Sequence, residues 1–218
     1  VSVLQERRDR ATARLASLRE ELERGTEIAR AQACVYVTGS YGRGEASEYS
    51  DLDWFIVTRD ASSVDADRIK ARLNAAVEQN GIPKGEADYG LVHSVESLVS
   101  NIGTDDDDSK NSLTARLLLL LESRPILDDE FYREVLDRVL QSYWRDFNGN
   151  ERNFVPGFVA NDILRMWRTF CVNYEARTQN DPPEKKAKRS LKNYKLKHSR
   201  LLTCYSAIAY LLMVFEQR

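Results

Sequence analysis

Cysteine is scarce in this 218-residue chain: Cys34, Cys171 and Cys204 stand far apart and form no CxxC pair. That spacing suggests neither a disulfide framework nor a zinc site, and reduced, packed thiols are expected. Long apolar runs are also missing. No eighteen consecutive apolar residues occur, and the longest near-apolar stretch, Leu201 to Phe215, is broken by Thr203, Cys204 and Ser206, so a buried helix is expected there and no membrane partner. No basic segment followed by an apolar core and a cleavage site is visible, and the expected location is the cytoplasm. Internal repeats are absent, and only an Asp run and a Lys/Arg-rich stretch are biased in composition. What remains is an ordinary folded composition, 42% apolar and 30% charged, long enough for one substantial core or an α/β core with a helical unit attached.

The formal net charge of -2 conceals an asymmetry. Residues 185–218 carry nine Lys/Arg against the single acid Glu216, a net +8, so residues 1–184 sum to -10. A surface divided in this way can collect a polyanion at its basic pole and hold cation-binding carboxylates elsewhere.

Read along the chain, Leu4, Ala11, Leu15, Leu18 and Leu22 recur at helical spacing within residues 2–31, with Gly25 as a break. Ala33–Thr38, β-branched and aromatic, predicts a buried strand, and Asp51–Thr58 a second. Ser62 resembles a helix start, Ile69, Leu73 and Val77 supply an apolar face, and Gly81 stops it. Ala87–Val92 reads as a third strand, and Ser94–Ile102 as a short helix closed by Gly103. Beyond the acidic run Asp105–Asp108, helical periods dominate, with helices expected at about 110–123, 128–146, 157–178 and 188–215. The expected fold is α+β: a small mixed sheet lobe with an N-terminal helix over residues 1–104, followed by an all-helical lobe over 105–218.

Chemistry concentrates between Val37 and Trp54, in Val-Thr-Gly-Ser-Tyr-Gly-Arg-Gly-Glu-Ala-Ser-Glu-Tyr-Ser-Asp-Leu-Asp-Trp. Gly39 and Ser40 end one strand, Gly42 and Gly44 loosen the turn, and Asp51 and Asp53 alternate at the start of the next strand. A strand projects residues i and i+2 from one face, which brings the two carboxylates together. Like charges side by side repel unless a cation lies between them, and hard divalent ions favour such oxygens while keeping positions open for phosphate. The glycines let backbone N–H groups approach phosphate oxygens, with the Ser40 hydroxyl as a further donor.

Gly-Ser, ten intervening residues and Asp-Leu-Asp together resemble the signature of the DNA polymerase beta nucleotidyltransferase superfamily, and Gly39-Ser-Tyr-Gly-Arg-Gly44 is similar to its bacterial members. The clear likeness covers residues 33–60. It implies a palm-like sheet and a two-metal transfer of a nucleoside monophosphate from an NTP to a hydroxyl, with release of pyrophosphate. Asp51 and Asp53 would hold two Mg2+ or Mn2+ ions. Gly39 and Ser40 would grip the β and γ phosphates, and Arg43 is a candidate phosphate neutraliser. A third carboxylate is expected from a later strand; Asp88 is chosen because it lies between Ala87 and Tyr89, with Glu86 as the alternative. Weaker likeness reaches Asn161–Arg168 and Lys195–Arg200, making Lys195 and Arg200 further nucleotide-binding candidates.

Other charged features have simpler readings beside functional ones. Asp105–Asp108 point in different directions ahead of a helix, which favours capping and solvation over metal binding. His93 follows the third strand and reads first as a surface or core histidine, and His198 is given no role. Residues 185–200 hold eight Lys/Arg among sixteen, and no acid occurs from 185 to 215. Lys188, Lys192 and Lys195 share a helical face, a contact for phosphate or a polyanionic acceptor such as RNA, and Tyr194 could stack a base. Arg165 and Arg168 could reach the nucleotide from the second lobe, while Trp167, Phe170 and Tyr174 read as core. The first helix can pack on its own lobe or on a partner protein. The competing reading is a nucleotide-binding regulatory or antitoxin-like module with little turnover.

Overall fold

In the computed structural model, residues 2–24, 32–60, 66–83, 92–180 and 182–217 are described. Strand β1 (Ala33–Thr38) is central because every one of its residues is apolar or uncharged and all six are buried. It pairs antiparallel with β2 (Asp53–Thr58) on one side and with β4 (Arg124–Leu127) on the other, while β2 pairs parallel with β3 (Val92–Ser94). The sheet order is β3-β2-β1-β4.

Alternation divides this sheet into two faces. Ala33, Val35 and Val37 of β1 and Leu52, Trp54 and Ile56 around β2 join a core cluster with Ala11, Leu15, Leu18 and Leu22 of α1 (Val3–Glu23) and Ile69, Leu73, Ala76 and Val77 of α3 (Ala66–Gln79). The expected helical faces are thus buried, except that Leu4 is exposed. On the opposite face Tyr36 stacks on Phe55 with ring centroids 5.3 Å apart and donates its hydroxyl to the Ala115 carbonyl.

Helices α4 (Val95–Ser100), α5 (Asp105–Ser109), α6 (Ser112–Glu122) and α7 (Asp129–Ser142) follow. α4 is capped by the Ser94 hydroxyl, which accepts from Ser97 N, and Gly103 adopts positive φ beyond it. Strand β4 between α6 and α7 interrupts the run of helices expected there: Arg124-Pro-Ile-Leu is too short to show a period of two, and Pro125 is tolerated because β4 is a sheet edge. β2 begins at Asp53 rather than Asp51. The expected helix start at Ser62, the break at Gly25 and residues 87–91 of the expected third strand lie outside the described residues.

The chain groups into two units, Val1–Ser142 and Tyr143–Arg218. Residues 105–142 therefore stand with the sheet, and β4 belongs to it. The second unit is helical, with α8 (Gly157–Thr178), α9 (Lys186–Lys195), a π-helical turn at Leu196–Arg200 and α10 (Leu201–Glu216). Trp167 of α8 meets Tyr205 of α10 edge to face at 6.0 Å. The expectation of a buried helix at Leu201–Phe215 is not met: only Cys204 of α10 is buried, and Leu202 and Tyr210 are each 62% exposed. α10 is apolar on all sides and packs along one, so composition alone could not locate a cover. The continuous helical stretch Lys186–Glu216 is long and apolar enough, by length and composition, to cross a membrane.

Candidate functional site

The end of β1 turns sharply at Gly39, whose φ of +63° is the left-handed conformation that glycine adopts without penalty. Residues Gly39–Gly42 form a single helical turn, α2. It is closed by Arg43 N donating to the Gly39 carbonyl at 3.0 Å and Glu45 N to the Ser40 carbonyl at 2.7 Å. Tyr41 anchors the turn from below: it is fully buried, and its hydroxyl accepts from Arg14 of α1 at 3.0 Å.

Thr38 is the register partner of Asp53, so the turn and the Asp-x-Asp segment emerge at one end of one strand pair. A Cβ added at Gly39 would stand 3.0 Å from Asp53 Oδ2, which means the bare Cα is what lets the carboxylate lie against the turn. Leu52 and Trp54 enter the core, and Asp51 and Asp53, out of phase with them, stay half-buried. Asp51 precedes the strand and Asp53 opens it. Neither the Asp51 carboxylate nor the Ser40 hydroxyl has a hydrogen-bond or ionic partner among the described residues. The Thr38 hydroxyl is buried and makes no hydrogen bond in the structure.

An all-oxygen set of two half-buried carboxylates beside a glycine cradle fits a hard divalent cation. Among the described residues no cluster of three or more His, Cys, Asp or Glu could hold a metal. Asp88 and Glu86, the two expected sources of a third carboxylate, lie outside the described residues.

Arg43 is engaged by two carboxylates. Its Nη1 donates to Glu122 Oε2 at 2.6 Å and its Nε to Glu45 Oε2 at 3.0 Å. Burial works against its charge, but Glu122 and then Glu45 outweigh burial and hold the guanidinium above its ordinary value. The same Glu122 accepts the Gly39 amide on Oε1 at 3.1 Å. Glu122 was not singled out from sequence, yet a signal was there: it ends α6 with no basic residue in the last turn, where a negative charge opposes the helix dipole. An acid held at that place needs a local donor.

Lys195 and Arg200 belong to the second unit, where Lys195 is exposed and the Arg200 guanidinium lies 4.8 Å from the centre of the Phe170 ring. Arg165 pairs with Asp162 at 2.9 Å, and Asp162 also accepts the Tyr143 hydroxyl at 2.8 Å. His93 is core, 4% exposed, 6.2 Å from the Phe55 ring and with its Nε2 lacking a hydrogen bond in the structure. Burial pushes its pKa down to about 4.

Residues 1–93 match the family model described as "Putative nucleotidyltransferase DUF294". Over 107 residues the chain is 33% identical to the bifunctional uridylyltransferase/uridylyl-removing enzyme of Psychrobacter sp. (strain PRwf-1), a match covering 49% of this chain and 11% of that protein. The N-terminal part of the chain is thus similar to nucleotidyltransferases. Within the nucleotidyltransferase match lie Gly39, Ser40, Arg43, Asp51 and Asp53, together with Glu86 and Asp88. The match ends before α6, so the carboxylate that ties down the glycine turn comes from beyond the matched residues.

Proposed function

We propose that this chain transfers a nucleoside monophosphate from an NTP to a hydroxyl acceptor with release of pyrophosphate. The observation that carries the reading is the approach of Gly39 to Asp53, which brings a glycine turn and the partly exposed Asp53 carboxylate to one strand end, with Asp51 two residues before it. Asp51 and Asp53 would hold Mg2+ or Mn2+, with a third carboxylate from Asp88 or Glu86. The ions, when bound, would neutralise charge on the triphosphate and on the attacking oxygen. Ser40 would donate its hydroxyl to a β or γ phosphate oxygen, and the turn would keep those oxygens oriented for departure. Two neighbouring carboxylates would repel without a cation, so ion binding there would be favoured. The named activity of the Psychrobacter relative makes UTP the first nucleotide to try.

A regulatory module that binds nucleotide without turnover is the second reading. Both readings are separated by following incorporation from each labelled NTP, with and without Mg2+, using a cell extract as acceptor pool. Transfer that needs Mg2+ and is lost in Asp51→Asn/Asp53→Asn supports the enzyme. A double variant with normal activity removes these carboxylates from the mechanism, and Mg2+-dependent binding without incorporation favours the regulatory module.

A further inference from the structure

We propose that Glu122 is the positioning residue of the phosphate-binding turn, acting through the Gly39 amide and Arg43 rather than on substrate; the inference rests on the nucleotidyl-transfer reading. Three contacts from one residue meet the turn. Oε1 accepts Gly39 N at 3.1 Å, Oε2 accepts Arg43 Nη1 at 2.6 Å, and the Glu122 backbone carbonyl packs so close to Gly42 that a Cβ there would lie 1.8 Å from it. The turn is therefore fastened at its first residue, Gly39, at its fourth, Gly42, and at Arg43 just after it, and Ser40 is left with its side chain unengaged among the described residues. Arg43 continues the chain of contacts to Glu45.

Chemistry favours a fixed clamp over a displaceable plug. An amide N–H and a guanidinium are donors that a phosphate also accepts from, so a triphosphate would compete with the Glu122 carboxylate for them. Its side chain is only 8% exposed, however, and the residue's backbone stays against Gly42 wherever the carboxylate goes. A buried carboxylate released from these two donors would lose both contacts at low exposure to water. Arg43 then serves to hold Glu122, and phosphate contact would fall to Ser40 and to the ions that Asp51 and Asp53 would hold. The two alternatives have opposite signs: loss of a clamp weakens triphosphate binding, and loss of a plug strengthens it.

The test measures binding of Mg-ATP and Mg-UTP, against AMP and UMP, to the wild-type chain, Glu122→Gln, Arg43→Gln and the double variant, with folding checked by circular dichroism. Glu122→Gln should weaken triphosphate binding about tenfold and leave monophosphate binding unchanged, since one charge-assisted contact is lost from a turn that meets only the outer phosphates. Arg43→Gln should do the same, and the double variant should be no worse than the weaker single, because both act through one pair. In turnover, KM should rise while kcat changes less. Unchanged or tighter triphosphate binding by a folded Glu122→Gln overturns the proposal, as do additive losses in the double. Should Glu122→Gln fail to fold, Arg43→Gln decides alone: triphosphate-selective loss supports the clamp, and wild-type affinity removes it. A wild-type chain that binds no triphosphate removes the nucleotidyl-transfer reading and the clamp together, whereas an active wild type with an indifferent Glu122→Gln removes the clamp only.

Discussion

Gly39 and Asp53 meet backbone to carboxylate, with no room between them for a methyl group. Gly39→Ala would incur ~1–2 kcal/mol for a left-handed alanine and also press on Asp53 Oδ2. Gly81 supplies the control. Its φ is +60°, but nothing lies within 4 Å of its added Cβ, so Gly81→Ala carries the backbone cost alone. Both variants should lose roughly 2–8 °C in Tm. Only Gly39→Ala should also lose the Mg2+-dependent rise in Tm, and equal Mg2+ responses in the two would show that the contact with Asp53 has no part in ion binding.

Arg116 and Asp107 form a bidentate pair at 2.8 and 2.9 Å, both side chains 0% exposed, and Arg116 reaches on to the Leu98 carbonyl at 3.2 Å. The pair ties α5, α6 and α4 together. Arg116→Met alone would strand the Asp107 carboxylate in the core and should cost about 3–5 kcal/mol in urea unfolding. Arg116→Met with Asp107→Leu removes the buried charge altogether and should recover most of that loss. A double variant as unstable as the single would show that shape, not charge, governs the site.

Those residues also show where sequence reading stops. Asp105–Asp108 read as caps and solvated charge, and for Asp106, paired with Lys110 at the surface, that suffices. Asp107 differs because its partner, Arg116, lies nine residues on, in a largely apolar helix. β1 was legible to the residue, since an apolar β-branched run before Gly-Ser admits little else. β4 was not, because four residues carry no period and its pairing with β1 is long-range. At the site, Gly39, Ser40, Asp51 and Asp53 announced themselves by type and spacing. Glu122 did not, because what makes it matter is the arrival of Gly39 and Arg43 from elsewhere in the chain.

Buried His93 makes the first unit sensitive to acid. Its folded pKa of about 4 lies below the unfolded value near 6.5, so between those limits the unfolded chain binds a proton that the folded chain does not. Stability is then full above about pH 6.5, falls as pH drops, and levels off below about 4, with a total change on the order of 3 kcal/mol. His93→Leu should flatten this part of the pH profile in urea titrations between pH 4 and 7. A profile as steep as wild type would assign the acid sensitivity to other groups.

The proposal of a polyanionic acceptor is tested at the basic face of α9. No residue of α9 is buried, Lys188, Lys192 and Lys195 recur along it, and Tyr194, 62% exposed, offers a ring with His198 4.2 Å away. A helix side without acids retains its positive potential, which favours a polyanionic acceptor such as RNA. Changing the three lysines to Gln keeps helix propensity and removes three charges. If single-stranded RNA is the acceptor, affinity should fall, and the slope of log K against log salt should become shallower by roughly 2, as three phosphate contacts release fewer counterions. Tyr194→Ala should weaken RNA by ~1–3 kcal/mol with the salt slope unchanged, because stacking releases no ions. NTP affinity that falls instead, with RNA binding intact, would move this face to the nucleotide. A triple variant that matches wild type in NTP affinity, RNA affinity and salt slope would leave these lysines as solvated surface charge.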